Sequence, residues 1–494
     1  MSNYPTVVYE IFVRSFCDSN RDGIGDIPGI ISRLDYLADL GIGAIWLTPV
    51  HPSPSYHKYD ITDYYGIDPE YGTLSDYRRL LRKAHEKGIQ VFLDLVIHHT
   101  SVKHPWFQQA VRNPSSPYRN YYRWMSDERI SEMGWDAREV TLDAHTVNPW
   151  HRVKGDPERF LGIFSSEMAD LNMDYPPVRE EIERIMDFWL NEIGVDGFRL
   201  DAARHIYPIW EDERNPQFWT EFREMVDRIR PGTFLVGEVW ADLHHVAPFY
   251  RGLNANFNFD LWQRMELALI TEEHGDMVNH LLYQSQLFRE VSPDYVDAIM
   301  LSNHDQQRIA STVKGHIGKT KLAAAILLTL PGQPYIYYGE EIGMLGRKPD
   351  PYIREPFLWG NPRLEARWKI PRYSKPGRVV PLREALTQAD SVFYCYKNLI
   401  RLRNTIPALG SVVHTRLENP ELNNPHVLSF IRRGDGESYL VLHNLARATQ
   451  EIQLPEHLSG FRTLIYATTQ AFHCDGSRIS LGGYNSLVLK QTAD

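Results

Sequence analysis

Cysteine is scarce in this chain: three in 494 residues, Cys17, Cys395 and Cys474. An odd count without Cys-x-x-Cys spacing argues against a disulfide framework and for a reducing compartment, so a cytoplasmic protein is expected. No apolar run approaches the roughly 18 residues of a membrane-spanning helix. The N-terminal stretch MSNYPTVVYEIFVRSF has no basic region followed by an apolar one, so a signal peptide is not expected. Low-complexity tracts and repeats of about 20–50 residues are lacking as well. Positive charge is in deficit, with 53 Lys and Arg against 63 Asp and Glu and a formal net charge of −10. That balance disfavours nucleic acid and anionic membrane as partners.

What is present is ordinary for a soluble enzyme: 43% hydrophobic and 23% charged residues. The length exceeds one compact core, so two or three domains are expected. Aromatics are abundant, with 12 Trp and 27 Tyr. Most belong to cores, but aromatic faces also stack on sugar rings.

Up to about residue 410 the sequence alternates short apolar runs with amphipathic helices. Eight runs read as buried strands: Val7–Val13, Gly43–Pro49, Ile89–Ile97, Val195–Asp201, Thr233–Val239, Asn254–Phe259, Asp297–Ser302 and Gln333–Tyr338. The intervening helical stretches end on glycines, at Gly41, Gly88 and Gly194, as helix C-termini often do. Eight such units predict an α/β fold, a (β/α)8 TIM barrel. One connection is too long. Between Ile97 and Val178 lie Trp106, Trp124, Trp135 and Trp150 among Pro, Asn and Ser, which reads as a small inserted domain. The expected organisation is a barrel at 1–100 and 174–409, an insertion at 101–173 and a C-terminal antiparallel β-sandwich domain at 410–494. The hairpin pattern VLSFIRRGDGESYLVLHN heads that last part.

Four segments carry the chemistry: DLVIHH at Asp94–His99, GFRLDAARH at Gly197–His205, VGEVW at Val236–Trp240 and SNHD at Ser302–Asp305. Each starts apolar and ends in acids, imidazoles or a guanidinium, as barrel strands do where they open into a site. Asp201, Glu238 and Asp305 would converge at one mouth, and paired carboxylates are the usual equipment for cleaving a glycosidic bond. Arg199 lies two residues before Asp201, on the same face of its strand, and would keep it ionised. Glu238 lies between apolar residues that would raise its pKa.

These segments, in this order on an eight-strand pattern, resemble glycoside hydrolase family 13, the α-amylase family. A fifth segment, MADLN at Met168–Asn172, falls where that family has another short motif. Together with SYHKYDITDYY and IREPFLW it resembles α-amylases intermediate between the oligo-1,6-glucosidase and neopullulanase groups. The resemblance implies Asp201 as nucleophile, Glu238 as general acid/base and Asp305 as the carboxylate that binds sugar hydroxyls and stabilises the transition state. It implies His99 and His304 as hydrogen-bonding partners of the sugar at the cleavage position, and Tyr59 as the ring that stacks on it. Arg204 and His205 fall where relatives bind sugars on the leaving-group side. Ala202 after the nucleophile goes with α-1,4 rather than α-1,6 cleavage. Asp60 and Arg354 resemble an Asp–Arg pair with which exo-acting glucosidases grip the non-reducing end. The expected activity is retaining hydrolysis of α-1,4 bonds in starch-type glucans or maltooligosaccharides. The alternatives are a glucanotransferase, a trehalose-forming enzyme or an exo-acting α-glucosidase on the same site.

DSNRDGIGD at Asp18–Asp26 sets oxygen donors at alternate positions, Asp18, Asn20, Asp22 and then Asp26, matching the start of a calcium loop. Relatives of oligo-1,6-glucosidase carry such a loop after the first strand, where the Ile24 carbonyl would also ligate. Calcium is therefore the expected cofactor. One departure stands out: the family's first motif usually ends Asn-His and here ends His98-His99. Adjacent strand residues are expected to point to opposite faces.

Overall fold

The computed structural model describes residues 4–134, 148–413 and 416–492. Trp135, one of the four tryptophans noted in the insertion, lies outside them. Eight parallel strands close into a barrel. They are β1 Val8–Ile11, β2 Ala44–Leu47, β3 Gln90–Leu95, β4 Gly197–Leu200, β5 Phe234–Gly237, β6 Ala255–Phe257, β7 Val296–Met300 and β8 Gln333–Tyr337. Each pairs with its sequence neighbours and β8 closes on β1, with Val8 opposite both Ala44 and Tyr335.

All eight strands are shorter than the apolar runs that predict them, and the reasons are local. β1 stops because Val13–Phe16 turns into a short helix. β6 stops at Phe257 because the Asn258 side chain accepts a hydrogen bond from the Leu261 N–H and caps the helix Phe259–Thr271. The helix Leu74–His85 starts on a full capping box, Thr73 with Asp76. The helix Leu34–Leu40 ends at Gly41 in the left-handed region, φ 92°, where only glycine is unstrained.

Side-chain alternation sorts the strands into an inside and an outside. Val8, Ala44, Trp46, Phe92, Phe234, Val236, Phe257, Ala298, Met300 and Tyr335 fill the barrel interior. Tyr9, Ile11, Ile45, Leu47, Leu93 and Leu235 face the surrounding helices in a second, larger cluster. Two residues further along the inward-facing row the apolar filling gives way to Glu10, Asp94 and Arg199, all buried. The barrel is therefore apolar at its floor and charged at the C-terminal ends of its strands.

The insertion leaves after β3. His99–Ser101 pairs antiparallel with Met168–Asp170, and Trp124–Ser126, Glu158–Leu161 and Trp150–Arg152 form a three-stranded sheet. At the C-terminus a five-stranded and a three-stranded antiparallel sheet enclose a core that includes Ile431, Leu440, Ile452, Ile479 and Leu489. The predicted hairpin forms, with Val427–Gly434 paired to Glu437–Asn444. Two buried arginines have backbone carbonyls as partners near this junction; Arg432 reaches from the sandwich to the barrel, and Arg403 braces the barrel side. Arg432 donates to Thr329 O at 2.6 Å, and Arg403 to Leu328 O at 2.9 Å and Leu330 O at 2.8 Å. Cys17 and Cys395 are buried, Cys474 is exposed, and all three are free.

Candidate active site

The charged end of the barrel opens into a pocket of about 760 Å³. Asp201, Glu238 and Asp305 line it, from the ends of β4, β5 and β7. Tyr59, His99, His205 and Arg354 share the wall. Arg199 and His304 lie just beneath, buried. The strands reach this arrangement because Arg199 and Asp201, two residues apart, both point inward, and because β5 pairs in register with β4, Val236 opposite Arg199 and Gly237 opposite Leu200.

One guanidinium organises the acids. Arg199 Nη1 donates to Asp201 Oδ1 at 2.5 Å and Asp94 Oδ1 at 2.9 Å, while Nη2 donates to Glu238 Oε2 at 2.6 Å. It stacks 5.0 Å from the Trp46 ring, whose indole N–H donates to Asp94. Burial pushes the Glu238 carboxyl up to about 7, with Arg199 opposing and Asp201 and Asp305 reinforcing the shift. For Asp305 burial also works against the charge, yet His304 and Arg354 hold the group well below the usual carboxylate range. His304 Nε2 lies 3.1 Å from Asp305 Oδ2, and Arg354 Nη2 donates to Asp305 Oδ1 at 2.7 Å. Tyr59 stacks on His304 with the rings 5.3 Å apart and 8° from parallel. Its hydroxyl donates to Asp94 at 3.0 Å and contacts His304 Nε2 at 2.7 Å. Ala202, beside Asp201, has a left-handed backbone at φ 47°, where a β-branched side chain would be strained.

Two expected sugar contacts are absent from the wall. Asp60 is buried and accepts from the Ser53 and Ser55 hydroxyls. Arg204 donates to Trp240 O at 2.7 Å, and its ion-pair contact is with Asp212 at 3.7 Å. Asp60 and Arg354 form no ion pair with one another. All three nitrogens of the Arg354 guanidinium are engaged, by His304 O, the Tyr56 hydroxyl and Asp305. The two histidines ending the first motif do not diverge either. β3 ends at Leu95, so the alternation rule no longer applies, and the Nδ1 atoms of His98 and His99 come within 2.9 Å.

Several wall residues are not among the sugar contacts expected from the sequence. Phe164, from the insertion, packs on the rings of His98, His99 and His205 and closes one side of the pocket. Trp240 stacks on Phe259 at 4.8 Å and meets Trp262 edge-on. His57 lines the wall too, its Nδ1 accepting from the Tyr59 N–H at 3.2 Å. Glu10, beneath the wall, is likewise outside the expected set, although an acid inside the apolar run VVYEIFV is itself a signal, since a buried charge needs a partner.

The loop Asp18–Asp26 is held by its own oxygens. Asp18 accepts from the N–H groups of Arg21 at 2.6 Å and Gly23 at 2.8 Å, and Asp22 from Ile24 at 2.8 Å. Burial pushes Asp26 up, and neighbouring Asp18 adds to the shift. All its donors are oxygens, which fits a hard cation. Among the described residues no three acidic, histidine or cysteine side chains are gathered around one point. The Asn20 amide and Ile24 carbonyl oxygens would therefore be needed to complete a site.

Comparison with known proteins agrees with this geometry. The family model described as the α-amylase catalytic domain matches residues 10–411, and the C-terminal domain of the α-amylase SusG matches residues 427–488. The chain is 40% identical over 487 residues to α-amylase 3 of Dictyoglomus thermophilum, covering 98% of this chain and 93% of that protein. It is 38% identical over 396 residues to a 4-α-glucanotransferase of Thermotoga neapolitana, covering 78% of this chain and 84% of that protein. Among solved structures, the α-amylase from H. orenii superimposes with a TM-score of 0.89 at 37% identity, over 100% of both chains. The chain belongs to the α-amylase family, glycoside hydrolase family 13, and is an enzyme that acts on glycosidic bonds.

Proposed function

We propose that the enzyme hydrolyses α-1,4 bonds of starch-type glucans and maltooligosaccharides with retention of configuration. The observation that carries this reading is Arg199 bridging Asp201 and Glu238 from its two terminal nitrogens. The bridge brings the two groups close, as a retaining pair about 5–5.5 Å apart requires. Burial raises Glu238 to about 7, which suits it to carry the proton. Asp201 attacks the anomeric carbon as the glycosidic C–O bond breaks, and Glu238 gives its proton to the leaving oxygen. Water then displaces Asp201, with Glu238 taking a proton from it. Asp305 and His304 bind hydroxyls of the sugar being cleaved, Tyr59 and His99 line its cavity, and His205 faces the leaving chain.

The occupied Arg354 guanidinium and the serine-bound Asp60 favour internal cleavage over an exo grip. A second reading, glucan transfer, is favoured by the similarity to the Thermotoga neapolitana glucanotransferase and by Trp240 and Trp262 on the wall, where an acceptor sugar would stack. A time course on maltotetraose separates the two. Hydrolysis gives shorter sugars, which proton NMR shows first as the α anomer. Transfer gives products longer than the substrate, and a first-formed β anomer would exclude the mechanism.

We also propose that Asp18, Asn20, Asp22, Asp26 and the Ile24 carbonyl hold Ca²⁺. Its role there is to tie the end of β1 to the following helix, away from the sugar.

A further inference from the structure

Glu10 stands in the middle of β1 at 1% exposure. A lone carboxylate at that depth is strongly disfavoured, and its partner lies 294 residues away in sequence. Glu10 Oε1 accepts from the His304 backbone N–H at 3.2 Å and lies 2.7 Å from His304 Nδ1. On the other side of the same ring, Nε2 lies 3.1 Å from Asp305 Oδ2 and 2.7 Å from the Tyr59 hydroxyl. An ionised carboxylate only accepts hydrogen bonds. A ring with a carboxylate at each nitrogen needs an N–H at each, and only the imidazolium has both.

The surroundings agree. Tyr59 faces His304 from the loop after β2, Asp94 from β3, Glu238 from the end of β5 and Asp305 from its own loop. Arg199 lies over the Trp46 ring, which packs edge-on against His304 at 5.6 Å. Arg354 donates to the His304 carbonyl at 2.8 Å. Burial lowers His304, but Asp305 and Glu10 outweigh it and bring the ring to about 10.

We propose that Glu10 is a positioning residue for bond cleavage: through its two bonds to His304 it fixes that ring as an oriented imidazolium, so that Asp305 and Tyr59, which meet the sugar, always face a cationic donor. This rests on the reading of Asp305 and His304 given above, and Glu10 itself touches no substrate.

The test is Glu10→Gln, which keeps the shape and one accepting oxygen but removes the charge. Expected are a fall in kcat of roughly ten- to a hundredfold, KM within about threefold of wild type, and an alkaline limb that falls more steeply than Glu238 alone would give, as His304 now loses its proton in the same range. In ¹⁵N-histidine spectra, His304, assigned through His304→Gln, should read as imidazolium from pH 5 to 9 in the wild type and titrate within that range in Glu10→Gln. Wild-type kcat and pH profile in Glu10→Gln would overturn the proposal. So would a neutral His304 at pH 7 in the wild-type protein, a measurement that needs no variant to fold. Asp201→Asn serves as the control: if it remains active, the catalytic reading itself has failed, whereas an inactive Asp201→Asn beside an unaffected Glu10→Gln overturns only the role of Glu10.

Discussion

At the scale of single residues, the raised carboxyl of Glu238 sets the enzyme's pH response. Asp201→Asn and Glu238→Gln should each lower kcat by roughly 10³-fold or more while melting like wild type, because each removes a reacting atom with almost no change in shape. Glu238, at about 7, must carry its proton to act as the acid. Activity should therefore hold below that value and fall as pH rises through it, approaching tenfold per unit, in a kcat/KM profile. Residual activity in Glu238→Gln should lack that limb. The convergence of Asp201, Glu238 and Asp305 was legible in the sequence because each ends a strand of recognisable pattern. Glu10 and Phe164 were not, since their neighbours are set by barrel closure and by the insertion folding back. Asp60 and Arg354 looked like a pair in sequence, but each had a nearer partner, serines for one and Asp305 for the other.

At the scale of elements, the loop between β1 and its helix is where a bound ion would show itself. If Ca²⁺ occupies it, binding only to the folded protein adds about 2.7 kcal/mol when free ion is about 100 times the dissociation constant. EDTA should lower Tm while leaving the initial rate at 25 °C nearly unchanged, and Asp22→Ala should start at the lower Tm and respond little to EDTA. An Asp22→Ala protein that melts and responds like wild type would place calcium elsewhere or nowhere. Strand existence was legible throughout, from eight apolar runs in the right rhythm. Strand length was not, because capping side chains such as Asn258 and early helical turns such as Val13–Phe16 decide where each run stops being a strand.

At the scale of the whole molecule, barrel and C-terminal sandwich are held by buried charge as well as by apolar packing. Burial pushes Arg432 down to about 9, and it donates to the carbonyls of Thr329 and Leu409. Arg432→Met should leave both carbonyls without that donor and cost about 1–3 kcal/mol, read as a lower denaturant midpoint and faster proteolysis between the two parts. The rate at 25 °C should stay near wild type, because the pocket lies at the other parts of the chain that line the barrel mouth. An unchanged midpoint would show that apolar packing alone holds the sandwich.

The insertion departs through His99–Ser101 and returns through Met168–Asp170, and these two stretches are bonded to each other. Val102 N donating to Glu167 O continues the ribbon outward. The segment beyond thus departs and returns through a closed stem that holds the ends of β3 and β4 in place, while Trp106 on Tyr64 and Arg123 with Glu211 also tie it to the barrel. Among the described residues, Phe164 and Ser165 bring that segment to the pocket. For evolution, as for an engineer, this makes the segment a replaceable cassette once the stem and the ties to Tyr64 and Glu211 are kept: exchanging residues 103–166 alters the roof over the sugar while the acids keep their positions.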